Sequence, residues 1–296
     1  MQKIQIMEVC PRDGWQNIEQ SIPFEQKLKY IRGMLKTGIH AIQIGSFVHP
    51  KAVPQMADTG RIAQSILMEY PDRTIDVLVP NLKGVQLAVD AGIRNVSYVV
   101  SVSESHNRAN IGRTHAQSFQ ELETIMDTYP DLSLTLALST AFGCPFEGVT
   151  PLDRVLHFIE KSVQLGVKRV ELGDTIGIGT PAQIRTTFQA VKQRFPGITC
   201  IAHMHDTRNN GIINSWLAAE NGADIVHTAL GGLGGCPFAP GASGNTSTED
   251  FVYLLENSGI QTGIDVEAVI QLAKKMRGEI SGNYSGHQIN INKGAC

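Results

Sequence analysis

Short apolar runs rich in β-branched residues alternate along the chain with longer stretches of helical periodicity. The strand-like runs are Ile4–Val9, Ala41–Ile44, Ile75–Val79, Val96–Ser101, Leu132–Leu138, Val170–Leu172, Thr199–His203 and Ile225–Ala229. Between them, helical patterns fill Phe24–Lys36, Phe119–Thr128, Leu152–Leu165, Pro181–Arg194 and Asn210–Asn221. Strands separated by helices imply crossover connections and a parallel sheet. Eight such strands predict an α/β fold of the (β/α)8 TIM-barrel type. Residues 1–296 are read as a single catalytic domain with a short helical extension at the C-terminal end. A doubly wound open sheet shares the same alternation and stays as the alternative.

A weak internal repeat favours closure. Four helix ends pass through glycine directly into a strand: GIHAIQI from Gly38, GIRNVSY from Gly92, GVKRVEL from Gly166 and GADIVHT from Gly222. The glycine reads as a helix C-cap at positive φ. These segments lead into the even-numbered strands, and five residues past each glycine stand Gln43, Ser97, Glu171 and His227. In a barrel, alternate strands fill one interior layer, so these four are expected to point inward together as a wet layer near the mouth.

Composition narrows the class. Hydrophobic residues make up 42% and charged residues 18% of 296, a balance that supports a large core. A net charge of −3 lacks the concentrated positive field that phosphate-backbone or membrane-surface binding needs. No apolar stretch reaches the roughly 18 residues of a membrane span. The start, MQKIQIMEVCPRD, lacks the pattern of a secretory signal. Five cysteines, at 10, 144, 200, 236 and 296, form no CxxC pair and suit free thiols in a reducing, cytoplasmic setting.

The candidate chemistry gathers after strands. Ile201-Ala-His203-Met-His205-Asp206 places two imidazoles two residues apart, on one face of a strand, where they can converge on one divalent ion. Pro11-Arg12-Asp13-Gly14-Trp15-Gln16 follows the first strand. Asp13 there offers a hard oxygen ligand and Arg12 a permanently charged fork for an oxyanion, although an ordinary Asp-Gly turn has the same spelling. A glycine-rich run from Gly231 through Gly244 follows the eighth strand and reads as a lid or an anion-binding nest, carrying Cys236 and ending at Asn245. After the sixth strand, LGDTIGIGTP holds Asp174, either an outer acid of the site or the cap of its own turn.

These motifs, with SFVHPKAVPQM, PNLKG, SESHNRANI, FGCPFEG and TEDFVYLLE, cover nearly the whole chain. The sequence resembles the 3-hydroxy-3-methylglutaryl-CoA lyases, within a wider group of metal-dependent barrel lyases and acyl-transferring synthases. That resemblance implies a retro-Claisen cleavage of a 3-hydroxyacyl-CoA, hydroxymethylglutaryl-CoA or a close analogue. It implies Asp13, His203 and His205 as metal ligands with Asn245 as a weaker fourth, the metal being Mg²⁺ or Mn²⁺, with Zn²⁺ also suited. It implies catalytic roles for Arg12, Asp13, His203 and Cys236, Arg12 stabilising the enolate and Cys236 taking part in proton transfer. A homodimer is expected on the same grounds. Lys83, Arg108 and Arg113 are candidates for the CoA phosphates.

The sequence departs from the family at four places. Gln43 stands where the second strand usually carries Glu, Ala137 where a Tyr is usual, Glu171 where Ser is usual and Arg208 where Tyr is common. With Gln16, Ser46 and Asp174, these residues form the expected substrate-facing set. Either the pocket has been re-tailored for a different substituent at C3, or the changes are drift within one activity. A condensing synthase and a non-catalytic CoA-binding protein are the competing functions.

Overall fold

The computed structural model describes residues 4–235 and 244–291. Eight parallel strands close into a barrel: β1 (Gln5–Glu8), β2 (Ala41–Ser46), β3 (Thr74–Val79), β4 (Asn95–Ser101), β5 (Ser133–Ser139), β6 (Arg169–Asp174), β7 (Thr199–Met204) and β8 (Ile225–Thr228). Each strand pairs with its sequence neighbours, and β8 closes the ring against β1. The open-sheet alternative is thereby excluded. Helices follow as α1 (Phe24–Lys36), α2 (Thr59–Glu69), α3 (Leu82–Asp90), α4 (Glu104–Ile111), α5 (His115–Thr128), α6 (Leu152–Gln164), α7 (Pro181–Arg194), α8 (Gly211–Glu220), α9 (Thr248–Asn257) and α10 (Val266–Glu279). The last of these packs against α1 and α9. No described helix is long and apolar enough to cross a membrane.

Strand parity explains how the barrel holds two kinds of core. Along β2, Ile42 and Ile44 flank Gln43, and all three are buried. Successive side chains leave a strand on opposite faces, so the isoleucines pack outward under the helices while Gln43 enters the barrel. Burying each such aliphatic side chain contributes about 1.5–3 kcal/mol. The polar interior instead depends on paired hydrogen bonds.

All four repeat glycines have positive φ, between 85° and 123°. Strand ends extend beyond the apolar runs at β2 and β6, because the parallel ladder continues into Gly45-Ser46 and Gly173-Asp174, which carry no apolar signal. Helix α5 begins four residues before the expected Phe119. Thr114 and Gln117 form a reciprocal cap there, and the polar first turn they start has no apolar periodicity. A two-residue hairpin, Gly143–Cys144 with Gly148–Val149, lies in the loop before α6 and was not expected.

Candidate active site

β1 ends at Glu8, and the chain then makes one wide helical turn, Cys10–Gly14. The Val9 carbonyl accepts from the amides of Arg12 (3.1 Å) and Asp13 (2.8 Å), and Trp15 N donates to Cys10 O at 2.9 Å. The turn puts two consecutive charged side chains at the barrel mouth, both buried. Asp13 Oδ1 accepts from Arg12 Nη1 and, at 3.2 Å, from Gln16 Nε2. Asp13 Oδ2 accepts from Asn245 Nδ2 at 2.7 Å. Burial would raise the Asp13 pKa, but the Arg12 charge and the His205 hydrogen bond outweigh it and hold the carboxyl well below the usual range.

His203 lies on β7 and His205 one residue beyond it, so both rings enter from the same side. Their Nε2 atoms are 3.1 Å apart, and lie 3.9 Å (His203) and 3.5 Å (His205) from Asp13 Oδ2. Donors bound at right angles or tetrahedrally to one cation at about 2.1 Å stand about 3.0–3.4 Å apart, so this triangle has the scale of a coordination face. A bridge pairs the backbones of His205 and Asn245 and brings the Asn245 amide to the same edge. Among the described residues, Asn245 Oδ1 and His205 Nδ1 are buried without a hydrogen-bond partner. The Asn245 amide meets the triangle through its nitrogen at Asp13, and its unpartnered oxygen is a candidate fourth donor. Gly234 permits this approach: a Cβ there would stand 2.4 Å from Asn245 Nδ2, and its φ is +136°. The donor set fits a divalent ion.

The second nitrogen of His203 is also engaged. β7 and β8 are in register at His203 and His227, which sets their Nδ1 atoms 3.1 Å apart. Glu171 Oε1 is 3.5 Å from His203 Nδ1, and Oε2 is 3.8 Å from His227 Nδ1. Were its Nε2 lone pair given to a cation, His203 would keep its proton on Nδ1, where His227 and Glu171 could accept it and fix the ring. Burial pushes His203 well below its ordinary pKa and His227 down to about 3, so both rings are neutral. Burial raises Glu171 to about 7, against the Arg12 charge, and its Oε2 has no hydrogen-bond partner among the described residues.

The expected inward layer is present. Gln43, Ser97, Glu171 and His227 are all buried, and they join into two groups. Glu171 and His227 flank His203. Gln43 and Ser97 both bond to Asp76 on β3, at 2.6 and 3.0 Å. Asp76 is a residue that the sequence reading missed, although an aspartate interrupting the run Ile75–Val79 is the signal that marks it.

Above these groups opens a cavity of roughly 430 Å³, with Arg12, Asp13, Gln16, Glu171, His203 and His205 on its polar wall. Its apolar wall includes Val48, Val53, Leu78, Val99 and Ala137. Ala137 and Glu171 sit side by side because β5 and β6 pair in register there.

Four expected substrate-facing residues are not on the described cavity wall: Gln43 lies behind Arg12, bonded to it and to Asp76, and the others are Asp174, Arg208 and Ser46. Asp174 accepts from the amides of Ile178 and Gly179, both at 3.0 Å, and so caps its own turn. Arg208 is turned back onto the carbonyl of Ile176 at 2.8 Å. Ser46 is buried at the end of β2. None of the three cations expected at CoA lines this cavity. Arg113 pairs with Glu121, Arg108 with Glu104 on its own helix (3.1 Å), and Lys83 is exposed on α3. Arg108 and Glu104 are one helical turn apart on α4, while Arg113 reaches Glu121 of α5 from the loop before that helix. Cys236 and the centre of the glycine-rich run lie outside the described residues.

The HMGL-like family model matches residues 3–276. The hydroxymethylglutaryl-CoA lyase YngG of Bacillus subtilis is 40% identical over 92% of this chain and 91% of its own length. The (R)-citramalyl-CoA lyase of Chloroflexus aurantiacus is 38% identical, covering 91% of this chain and 89% of that protein. Among solved structures, an HMG-CoA lyase from Acinetobacter baumannii in complex with coenzyme A and 3-methylmalate superposes with a TM-score of 0.93. It is 36% identical, covering 99% of this chain and 96% of that one. With the closed barrel and the donor triangle at its mouth, these likenesses place the chain: it belongs to the HMGL-like family.

Proposed function

We propose that this protein is a divalent-metal-dependent carbon–carbon lyase that cleaves a 3-hydroxyacyl-CoA. The observation that carries the reading is the triangle of Asp13 Oδ2, His203 Nε2 and His205 Nε2 beside the Arg12 guanidinium. Asp13, His203 and His205 would hold Mg²⁺ or Mn²⁺, with Asn245 as fourth ligand; Zn²⁺ suits the same donors. When bound, the cation lowers the pKa of the substrate's 3-hydroxyl and orients its oxygens.

In the reaction, a base takes the 3-hydroxyl proton, C3 becomes a carbonyl, and the C2–C3 bonding pair passes to the thioester as an enolate. Protonation at C2 then releases an acyl-CoA. Arg12 is placed to stabilise the enolate oxygen. Among the described residues its bonds run from Nε and Nη1, which leaves Nη2 for the substrate. Gln16 braces Asp13, and Glu171 with His227 sets the His203 ring. Cys236 is assigned to proton transfer by its place in the family motif. Residues 1–296 are taken as one catalytic domain working as a cytoplasmic homodimer. The buried free thiols of Cys10, Cys144 and Cys200 accord with a reducing compartment.

The acyl group is proposed to differ from hydroxymethylglutaryl at C3. Ala137 leaves space beside Val99, its register partner on β4, while Glu171 adds a buried carboxyl that disfavours a negatively charged substituent once it ionises, above about pH 7. A panel of 3-hydroxyacyl-CoA thioesters assayed with Mg²⁺ tests this. We expect a thioester with a larger, uncharged C3 substituent to exceed hydroxymethylglutaryl-CoA in kcat/KM by at least about 10-fold. Ala137→Tyr is expected to narrow or reverse that ratio. Efficient cleavage of hydroxymethylglutaryl-CoA, unaffected by Ala137→Tyr, would return the pocket to the family's ordinary substrate.

A further inference from the structure

Arg12 is gripped at two nitrogens. Nη1 donates to Asp13, and Nε donates to Gln43 Oε1. The Gln43 amide then passes the chain on: its Nε2 donates to Asp76 Oδ1 at 2.6 Å, and Ser97 Oγ donates to the same oxygen at 3.0 Å. Register explains the contact, since Gln43 and Asp76 are direct partners across β2 and β3. All five side chains are buried.

The amide has only one orientation that satisfies both ends. A guanidinium offers donors alone, so Gln43 must turn its oxygen to Arg12. Its NH₂ then needs an acceptor, which Asp76 Oδ1 supplies while also accepting from Ser97. A neutral Gln43 taken alone leaves Arg12 with Asp13 as its nearest counter-charge. Asp13, however, turns its other oxygen to the two imidazoles. Asp76 supplies a second carboxylate on the far side of the amide, which polarises Gln43 toward Arg12. Burial raises Asp76 to about 6, opposed by the bonds from Gln43 and Ser97 and the charges of Arg169 and Arg12, so it remains largely ionised at neutral pH.

We propose that Asp76 is a positioning residue for Arg12, acting through Gln43: the counter-charge missing from the second strand stands on the third. It touches neither cation nor substrate in this scheme, and the inference rests on the lyase reading for its kinetic consequence. The charge is predicted to be transferable between the two strands. Asp76→Asn keeps the size and an acceptor oxygen but removes the charge, while Gln43→Glu combined with Asp76→Asn moves the charge one strand nearer to Arg12.

The test compares wild type, Asp76→Asn and the double variant in three ways: steady-state kinetics, Mn²⁺ affinity, and the ¹⁵N signal of the Arg12 Nε–H, assigned by its loss in Arg12→Lys. Asp76→Asn is expected to lower kcat about 10- to 100-fold, the scale of a misplaced catalytic group. KM and Mn²⁺ affinity should stay within a few-fold, and the Nε–H signal should weaken by faster exchange. The double variant is expected to restore both kcat and the signal. A double variant as impaired as Asp76→Asn, or an Asp76→Asn enzyme with wild-type kcat and Nε–H, overturns the proposal. If wild type turns over no thioester, the lyase reading fails separately, and the Nε–H comparison still decides whether Asp76 holds Arg12.

Discussion

Replacing His205 by alanine is expected to lower turnover about 10³-fold or more while leaving the barrel folded. The ring lies beyond the last hydrogen-bonded residue of β7 and contributes one of three donor atoms to the triangle. Its removal leaves Asp13 and His203 at 3.9 Å with Asn245 as the weaker third donor, a site of lower affinity. Lewis-acid stabilisation by a bound cation is worth several kcal/mol, and each 1.36 kcal/mol is tenfold in rate. A loss of about 4 kcal/mol therefore gives the stated factor. The His205 ring faces the polar groups of the mouth, His203 and Asp13, so the melting temperature in the absence of metal should change little. Raising the Mn²⁺ concentration is expected to recover part of the activity, because the lost quantity is affinity as well as chemistry. A His205→Ala enzyme with wild-type turnover at equal metal would remove the cation from the account.

Replacing Arg12 by methionine is expected to reduce kcat by about 10²–10³, with metal binding retained. The guanidinium is bonded on two nitrogens to described residues and Arg12 lines the cavity, so it meets the developing enolate already oriented. Interactions that strengthen only as charge develops act on kcat more than on KM. Arg12→Lys, which restores a positive charge without the planar fork, should recover only part of the rate. A mutation that raised KM alone would mean that Arg12 binds ground-state thioester and not the enolate. Measuring kcat and KM separately for both variants distinguishes these outcomes.

The sequence made the barrel legible because its signals are local and repeated. Each GIxxI-like segment couples a helix stop at positive φ to a buried strand, and the physical requirement recurs at Gly38, Gly92, Gly166 and Gly222. His203 and His205 were legible for the same reason, since strand parity alone sets their common face. Asp13 was less so: nothing in an Asp-Gly pair announces the wide helical turn that aims it inward. Readings based on single positions were the weakest. Gln43 read alone is a lost charge, and only the pairing of β2 with β3 shows the charge next door on Asp76. Asp174 read either as an outer acid or as the cap of its own turn, and it caps the turn; Arg208 read as a pocket residue by motif, yet it meets the Ile176 carbonyl in the β6 loop. Long-range register and loop closure decide such cases.

The most direct measurement is pulsed EPR of Mn²⁺ added to metal-stripped protein, with the His205→Ala variant alongside. The account predicts one tightly held Mn²⁺ per chain, with ¹⁴N couplings from two imidazoles in wild type and from one in the variant. Mn²⁺ bound without nitrogen coupling, or no tight site at all, would contradict the claim that Asp13, His203 and His205 grip a common ion.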